Sequence, residues 1–258
     1  MTRVFITGSS DGLGQMAARL LSEQGHAVVL HARNEARKRD ALAAVPRAEA
    51  VVVGDFTSIA QIRDVADQVN ALGLFDAIIH NAAVGFRERR RIETQDGLAH
   101  VFAVNTLAPY LLTALIQRPR RLIYVSSELH RCGDASLADL NWKDRPWRGN
   151  QAYSDTKLHV ALLAHAIARR WPEVRSNALE PGWVATKMGG AHATGDLDAA
   201  HRTQAWLAAG DDPAADVTGN YFFHMRPRKP SGAVHDATCQ DMLLTACSRI
   251  SGVPLLDQ

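Results

Sequence analysis

Short apolar runs alternate with longer amphipathic ones along most of this chain. Residues 4–7, 27–30, 50–53, 77–80, 122–126 and 176–179 are brief, continuous and rich in Val, Ile and Leu, the pattern of strands buried on both faces. Between them, residues 13–23, 35–44, 59–71, 98–116 and 152–170 repeat apolar side chains at helical spacing. The alternation predicts βαβ units, hence an α/β fold with a mostly parallel, doubly wound sheet and right-handed crossovers. Trp171-Pro172 ends the fifth helix, because a residue preceding proline is pushed out of the α region. From about Gly189 the periodicity loosens. Residues 203–209 and 236–248 still predict helices, and Tyr221-Phe222-Phe223 predicts a seventh and last strand.

Composition narrows the class. The chain has 258 residues, 47% hydrophobic and 22% charged, which is ordinary for a globular protein able to bury a sizeable core. That length suits one domain over residues 1–258. A net charge of +2 is too small to suggest a nucleic-acid partner. No stretch approaches the 18 apolar residues of a membrane span, and the first strand begins too near Met1 to leave room for a signal peptide. Three cysteines form no CxxC pair, and their odd number argues against a disulfide framework, so a reducing cytoplasm is expected. The eleven histidines show no metal-ligand spacing, so no metal is expected.

Candidate chemistry begins after the first strand, at Thr7-Gly8-Ser9-Ser10-Asp11-Gly12-Leu13-Gly14. Glycines there let the backbone turn sharply and approach a phosphate, while the helix that follows offers unpaired N–H groups and a positive dipole end. The spacing is G-x3-G-x-G rather than the commoner G-x-G-x-x-G, and a plain turn would also use these residues. The strand-turn-helix setting favours a dinucleotide site on a Rossmann-type sheet.

The second strand ends at His31-Ala32-Arg33. An acid near this point usually holds a free ribose 2′-hydroxyl, whereas an arginine suits a 2′-phosphate. The acid is absent and Arg33 is present, so NADP is expected over NAD; a solvated surface arginine is the plainer alternative. After the third strand, in Gly54-Asp55-Phe56, Asp55 can accept from an adenine amino group or simply cap a helix, with Phe56 beside it.

Tyr153 and Lys157 lie four residues apart on a predicted helix and share a face. A lysine ammonium one turn away stabilises a phenolate and fits Tyr153 for general acid–base work. Ser126-Ser127 ends the fifth strand, at the carboxyl edge where open parallel sheets bind ligands. Asn105 sits in an apolar helical stretch and needs partners, which a water chain to Lys157 or an ordinary core contact would supply.

Together these residues resemble the short-chain dehydrogenases/reductases. The likeness rests on Thr7-Gly8-x3-Gly12-x-Gly14, Asn81-Ala82, Asn105, Ser127, Tyr153-x3-Lys157 and Pro181-Gly182-x3-Thr186, in order from about residue 3 to 188. It implies that Tyr153 is the general acid/base, that Lys157 holds the ribose and tunes Tyr153, that Ser127 orients the substrate oxygen, and that Asn105 anchors a relay water. It places Gly8, Ser10, Gly12, Leu13 and Gly14 at the pyrophosphate, Asn81 and Ala82 beside the adenosine, and Pro181, Gly182, Val184 and Thr186 at the nicotinamide end. Two departures stand out. The family's Asn-Asn-Ala-Gly run is His80-Asn81-Ala82-Ala83 here, and Ser127 and Tyr153 are 26 positions apart (153 − 127), about twice the common spacing. The long interval and Ala32-Arg33 look like the retinol dehydrogenase and protochlorophyllide reductase branch.

The expectation is therefore an NADP-dependent oxidoreductase acting between an alcohol and a carbonyl group, with a small-molecule substrate that can be lipophilic. The alternatives are reduction of an activated carbon–carbon double bond and a non-catalytic NADP-binding regulator. Residues 128–150 carry Leu137, Leu140, Trp142 and Trp147, which either line an apolar pocket or pack on the surface. Arg87-Glu88-Arg89-Arg90-Arg91 reads as a solvated loop or as a patch for an acidic group, and Arg226-Pro227-Arg228-Lys229-Pro230 as exposed loop. A lid is expected over about residues 183–210, where paired glycines precede an aperiodic stretch. Helices 98–116 and 152–170 are apolar on more than one side, so a homodimer or homotetramer is expected to cover them.

Overall fold

Strand-helix alternation produces the expected sheet. The computed structural model describes residues 1–256. Its first half runs β1 (Arg3–Ile6), α1 (Gly12–Glu23), β2 (Ala27–Ala32), α2 (Glu35–Ala44), β3 (Ala50–Val53), α3 (Ile59–Ala71), β4 (Ala77–His80), α4 (His100–Phe102) and α5 (Ala108–Leu115). The second half runs β5 (Arg121–Val125), α6 (Gly149–Arg170), β6 (Arg175–Glu180), α7 (Leu197–Ala209), β7 (Tyr221–Phe223), β8 (Arg226–Pro227) and α8 (Ala237–Ser251). The strand order is β3-β2-β1-β4-β5-β6-β7-β8, parallel through β7 and antiparallel at β8. The order reverses between β1 and β4, which opens a crevice at the carboxyl ends of the strands.

Alternate strand residues face opposite layers. Phe5 joins the larger core with α3, α5, α6 and α8, whereas Val4 and Ile6 join the smaller one with α1, α2 and α7. Val4, Phe5 and Ile6 are all buried, so the sheet is dry on both sides.

Four expectations change. The sheet has eight strands rather than seven; the extra one is a two-residue edge ending in proline, which carries no periodic signal. The helix expected over 98–116 is interrupted by a π turn at Ala103–Leu107, centred on Asn105. The apolar faces of α5 and α6 are covered within the chain: α8 packs on both, Tyr110 donates to the Val253 carbonyl at 2.8 Å, and Arg169 donates to Gln240 at 2.9 Å. Those faces therefore give no reason for a second subunit. Residues 197–209 form α7, whose Ala200, Thr203, Gln204 and Leu207 are buried, so they belong to the core layer rather than to a lid.

The long interval between Ser127 and Tyr153 is mostly packing. It opens with a 3-10 turn at Glu128–Cys132 that lies along α6. Trp142 is buried against Val101 and Ala152, with Trp147 beside it at 5.4 Å between ring centres.

Candidate active site

A cavity of about 1180 Å³ follows the carboxyl edge of the sheet across the switch point. It is built first by the turn after β1. Gly8 and Gly12 have φ of 62° and 57°, a region costly for residues with a Cβ. Gly8 has a second constraint: a Cβ there would stand 2.7 Å from the Cα of Ala82. The start of α1 carries Asp11 at its cap with no side-chain bond to the first-turn amides, which leaves that turn free for a phosphate.

Other strand ends hold the turn in place. Thr7 Oγ1 accepts from the amides of Asn81 and Ala82, both at 3.0 Å. Asn81 Nδ2 donates to the carbonyls of Thr7 and Gly8 at 3.1 Å. Gly14 packs directly on the Asn81 amide and lies behind the cavity wall rather than on it. His31, at the end of β2, accepts from the Gly8 amide through Nδ1 at 3.0 Å and donates from Nε2 to the Gly54 carbonyl at 2.8 Å. Its ring stacks on Phe56 at 4.1 Å between centres. Burial pushes His31 down to about 4, so the neutral tautomer persists at physiological pH.

Arg33, Asp55 and Phe56 line one end of the cavity together with Arg37. Arg33 is exposed, and no ion pair involves it among the described residues. Arg37 is committed: it pairs with Asp11 and Asp40, each at 2.6 Å. Asp55 caps its own loop by accepting from Thr57 N at 2.9 Å.

At the other end Ser127, Tyr153 and Lys157 meet across β5 and α6. Ser127 Oγ accepts only a long bond of 3.3 Å, from the Leu129 amide, and faces the cavity. Ser126 Oγ instead donates to the Lys157 carbonyl at 2.8 Å, which makes it a tie between strand and helix. Lys157 Nζ donates to the Val125 carbonyl at 2.9 Å and stands 5.4 Å from the centre of the Tyr153 ring. Burial lowers Lys157 to about 8 and raises the Tyr153 phenol above its usual value. Sequence reasoning had the phenol lowered by the lysine; here desolvation outweighs an ammonium turned toward a carbonyl. Asn105 does not reach the cavity. Its side chain is satisfied by Val84 N at 2.8 Å, Val84 O at 2.9 Å and Thr156 Oγ1 at 3.1 Å, which pins the loop after β4 to the π turn and α6.

Pro181, Gly182, Val184 and Thr186 follow β6 and line the same end. Thr186 Oγ1 accepts from Gly189 N at 3.2 Å, Lys187 reaches Asp11 at 3.0 Å, and Met188 sets its sulfur 3.7 Å from the Tyr153 hydroxyl.

Sequence reasoning missed a brace behind Ser127. His130 donates from Nδ1 to the Ser127 carbonyl at 2.7 Å, its tautomer fixed because Nε2 accepts from Ser231 N at 3.0 Å. The Tyr221 hydroxyl donates to the same carbonyl at 3.2 Å. Arg228 bridges the buried Glu180 and the exposed Glu128. Burial and Glu128 push Glu180 up to about 7. Arg228, the residue after β8 in a stretch expected to be loop, thus ties the end of β6 to the segment after β5.

The chain matches the family model described as enoyl-(acyl carrier protein) reductase over residues 8–221. It is 46% identical over 257 residues to an uncharacterized oxidoreductase of Emericella nidulans, covering 98% of each chain. It is 39% identical to a short-chain dehydrogenase of Gibberella zeae, covering 99% of each. Human retinol dehydrogenase 13 is 28% identical over 97% of this chain and 84% of its own. Among solved structures, an uncharacterized protein from Mycobacterium paratuberculosis superposes with a TM-score of 0.85 at 26% identity, covering 99% of this chain and 95% of that one. A metagenomic blue fluorescent protein in complex with NADPH shares the fold, with a TM-score of 0.69 at 22% identity over 86% and 95% of the two chains.

Proposed function

The chain belongs to the short-chain dehydrogenase/reductase family of NAD(P)-dependent oxidoreductases, and from that premise we propose that it reduces a carbonyl group, or oxidises the matching alcohol, with NADP. The observation that carries this reading is the meeting of Ser127, Tyr153 and Lys157 at one end of a cavity whose other end holds Arg33. When bound, a reduced nicotinamide supplies the hydride that forms the new C–H bond. Tyr153 gives its phenolic proton to the carbonyl oxygen, Ser127 Oγ–H holds that oxygen, and Lys157 binds the ribose and returns charge to the phenol. Asn105 acts as a positioning residue through Val84 and Thr156. The test is NADPH oxidation against a panel of aldehydes, ketones and enones. Turnover of aldehydes or ketones supports the reading; turnover confined to enones supports double-bond reduction, the second reading, which the description of the matched family model favours.

NADP preference rests on Arg33. Because Arg33 is exposed, its bond to a 2′-phosphate falls at the low end for charged hydrogen bonds. Arg33→Ala is expected to weaken NADP(H) binding by about 1.5 kcal/mol, roughly tenfold, and to leave NAD(H) unchanged. Equal affinity for the two cofactors in the unaltered protein overturns this assignment.

The lid reading now covers residues 183–196. It is supported by Lys187 on Asp11 and Met188 on Tyr153, contacts that close the strap over both ends of the reacting region. Amide exchange over 189–196 is expected to slow when NADP and a carbonyl inhibitor are both bound. Exchange unaffected by either ligand removes the lid.

A further inference from the structure

A second recess, of about 620 Å³, opens beside the substrate end of the cavity and shares Arg87 with it. Its lining includes Arg87, Arg89, Arg148 and Trp147. The loop from Arg87 to Arg91 contains a single acid, Glu88, and one oxygen of its carboxylate is held by His100. Glu88 Oε1 bonds His100 Nδ1 at 2.8 Å, its side chain is only 12% exposed, and its carbonyl accepts from Trp147 Nε1 at 2.9 Å. Other nearby cations are neutralised: Arg91 pairs with Glu93, and Arg145 pairs with Asp134 and Asp155. No carboxylate pairs with Arg87, Arg89, Arg90 or Arg148 among the described residues. Three of these unneutralised guanidinium groups, Arg87, Arg89 and Arg148, line one recess, a costly concentration of charge in a protein of net charge +2. Arg148 also stands at the start of α6, where a cation faces the positive end of the helix, and an anion between them relieves the conflict.

The recess is coupled to the reacting group. The Arg87 guanidinium lies 5.0 Å from the centre of the Phe86 ring, and Phe86 meets the Tyr153 ring edge-on at 5.6 Å. We propose that this arginine-lined recess binds a carboxylate or phosphate carried by the substrate, remote from the carbonyl that Tyr153 serves. The substrate class is then an anionic carbonyl or alcohol compound, held at one end by Arg87, Arg89 and Arg148 and at the other by Ser127 and Tyr153. Guanidinium forks match the geometry of either oxyanion, so the chemistry is shared and the experiment separates the two. The inference rests on the hydride-transfer reading for its second contact point only.

The test is binding, measured by calorimetry on the NADP⁺-loaded protein, where an aldehyde binds without being reduced. The probes are 4-carboxybenzaldehyde, 4-formylphenyl phosphate and the uncharged methyl ester of the first. At least one anionic probe is expected to bind about 10-fold tighter than the ester, the scale of one hydrogen bond between charged groups. The tighter of the two names the natural oxyanion. The preference is expected to disappear in an Arg87→Gln/Arg89→Gln/Arg148→Gln protein, whose altered side chains are exposed or at the rim and leave the core untouched, and to shrink in high salt. Equal binding of acid, phosphate and ester in the unaltered protein overturns the proposal, as does a preference that survives the triple substitution. Failure of the hydride-transfer reading looks different: no carbonyl in the panel oxidises NADPH, whatever the calorimetry shows.

Discussion

A Tyr153→Phe protein is expected to turn over its carbonyl substrate at least ~100-fold more slowly than the unaltered protein, the usual scale of general acid–base help. The fold should survive. Tyr153 is 7% exposed and packs edge-on against Phe86, contacts that phenylalanine keeps. The hydroxyl's hydrogen-bond partner is the Met188 sulfur, a weak acceptor whose loss strands nothing. Burial holds the phenol protonated at neutral pH, so the acid is loaded before every turnover. An alkoxide left by hydride addition is more basic still, and takes that proton readily. Alcohol oxidation is harder, because it needs the phenolate, and Lys157 must then supply its charge. The phenolate–ammonium pair has one proton fewer than the resting phenol–ammonium pair, and burial brings Lys157 down to about 8, so oxidation is expected to rise with pH and level off near that value while reduction stays level below it. Steady-state kcat and NADPH affinity for the two proteins settle the matter. Near-normal turnover with intact NADPH binding removes Tyr153 from the acid's role.

What the sequence revealed is what local patterning and short spacing encode. Strand and helix periods predicted a doubly wound, mostly parallel sheet, and Gly8, Gly12 and the Tyr153–Lys157 spacing pointed to one edge of it. The preference for Ser127 over Ser126 also agrees with the geometry, since Ser126 is spent on the Lys157 carbonyl. Features that depend on distant pairing were illegible. Arg228 lies 48 residues from Glu180, and nothing in Arg226-Pro227-Arg228 marks it as a strand that braces the serine loop. The π turn at Asn105 has no residue signature, because it arises where that amide must reach both Val84 and Thr156. Helix apolarity said that α5 and α6 need cover, but not that α8 of the same chain provides it. Burial, too, is a property of the assembled core: it reversed the expected direction of the Tyr153 shift.

Burial of histidine leads to the other large effect, which is a steep loss of stability in mild acid. His31, His80, His159 and His165 are held down to about 4, 3, 3 and 4, in each case chiefly by desolvation. In the unfolded chain each titrates near 6.5. Between those limits the unfolded state binds more protons than the folded one, so stability falls as pH falls. Each histidine contributes up to about 1.4 kcal/mol per pH unit. Glu180, raised to about 7, acts in the opposite sense below neutrality and offsets part of the loss. The sites explain why protonation is not tolerated. His80 Nδ1 and His165 Nε2 are buried without an acceptor, so a new N–H there is unpaired. His31 is the special case, because its Nδ1 already accepts from Gly8 N; a proton on that nitrogen sets donor against donor and pushes the phosphate turn away. Against a typical total of about 5–15 kcal/mol, the slope places acid unfolding within roughly one to three pH units below 6.5. Urea unfolding at pH 7.5, 6.5 and 5.5 measures the slope. A His165→Gln protein should lose about one proton's worth of the slope, and a stability that stays level from pH 7.5 to 5.5 would show that these histidines are not held neutral.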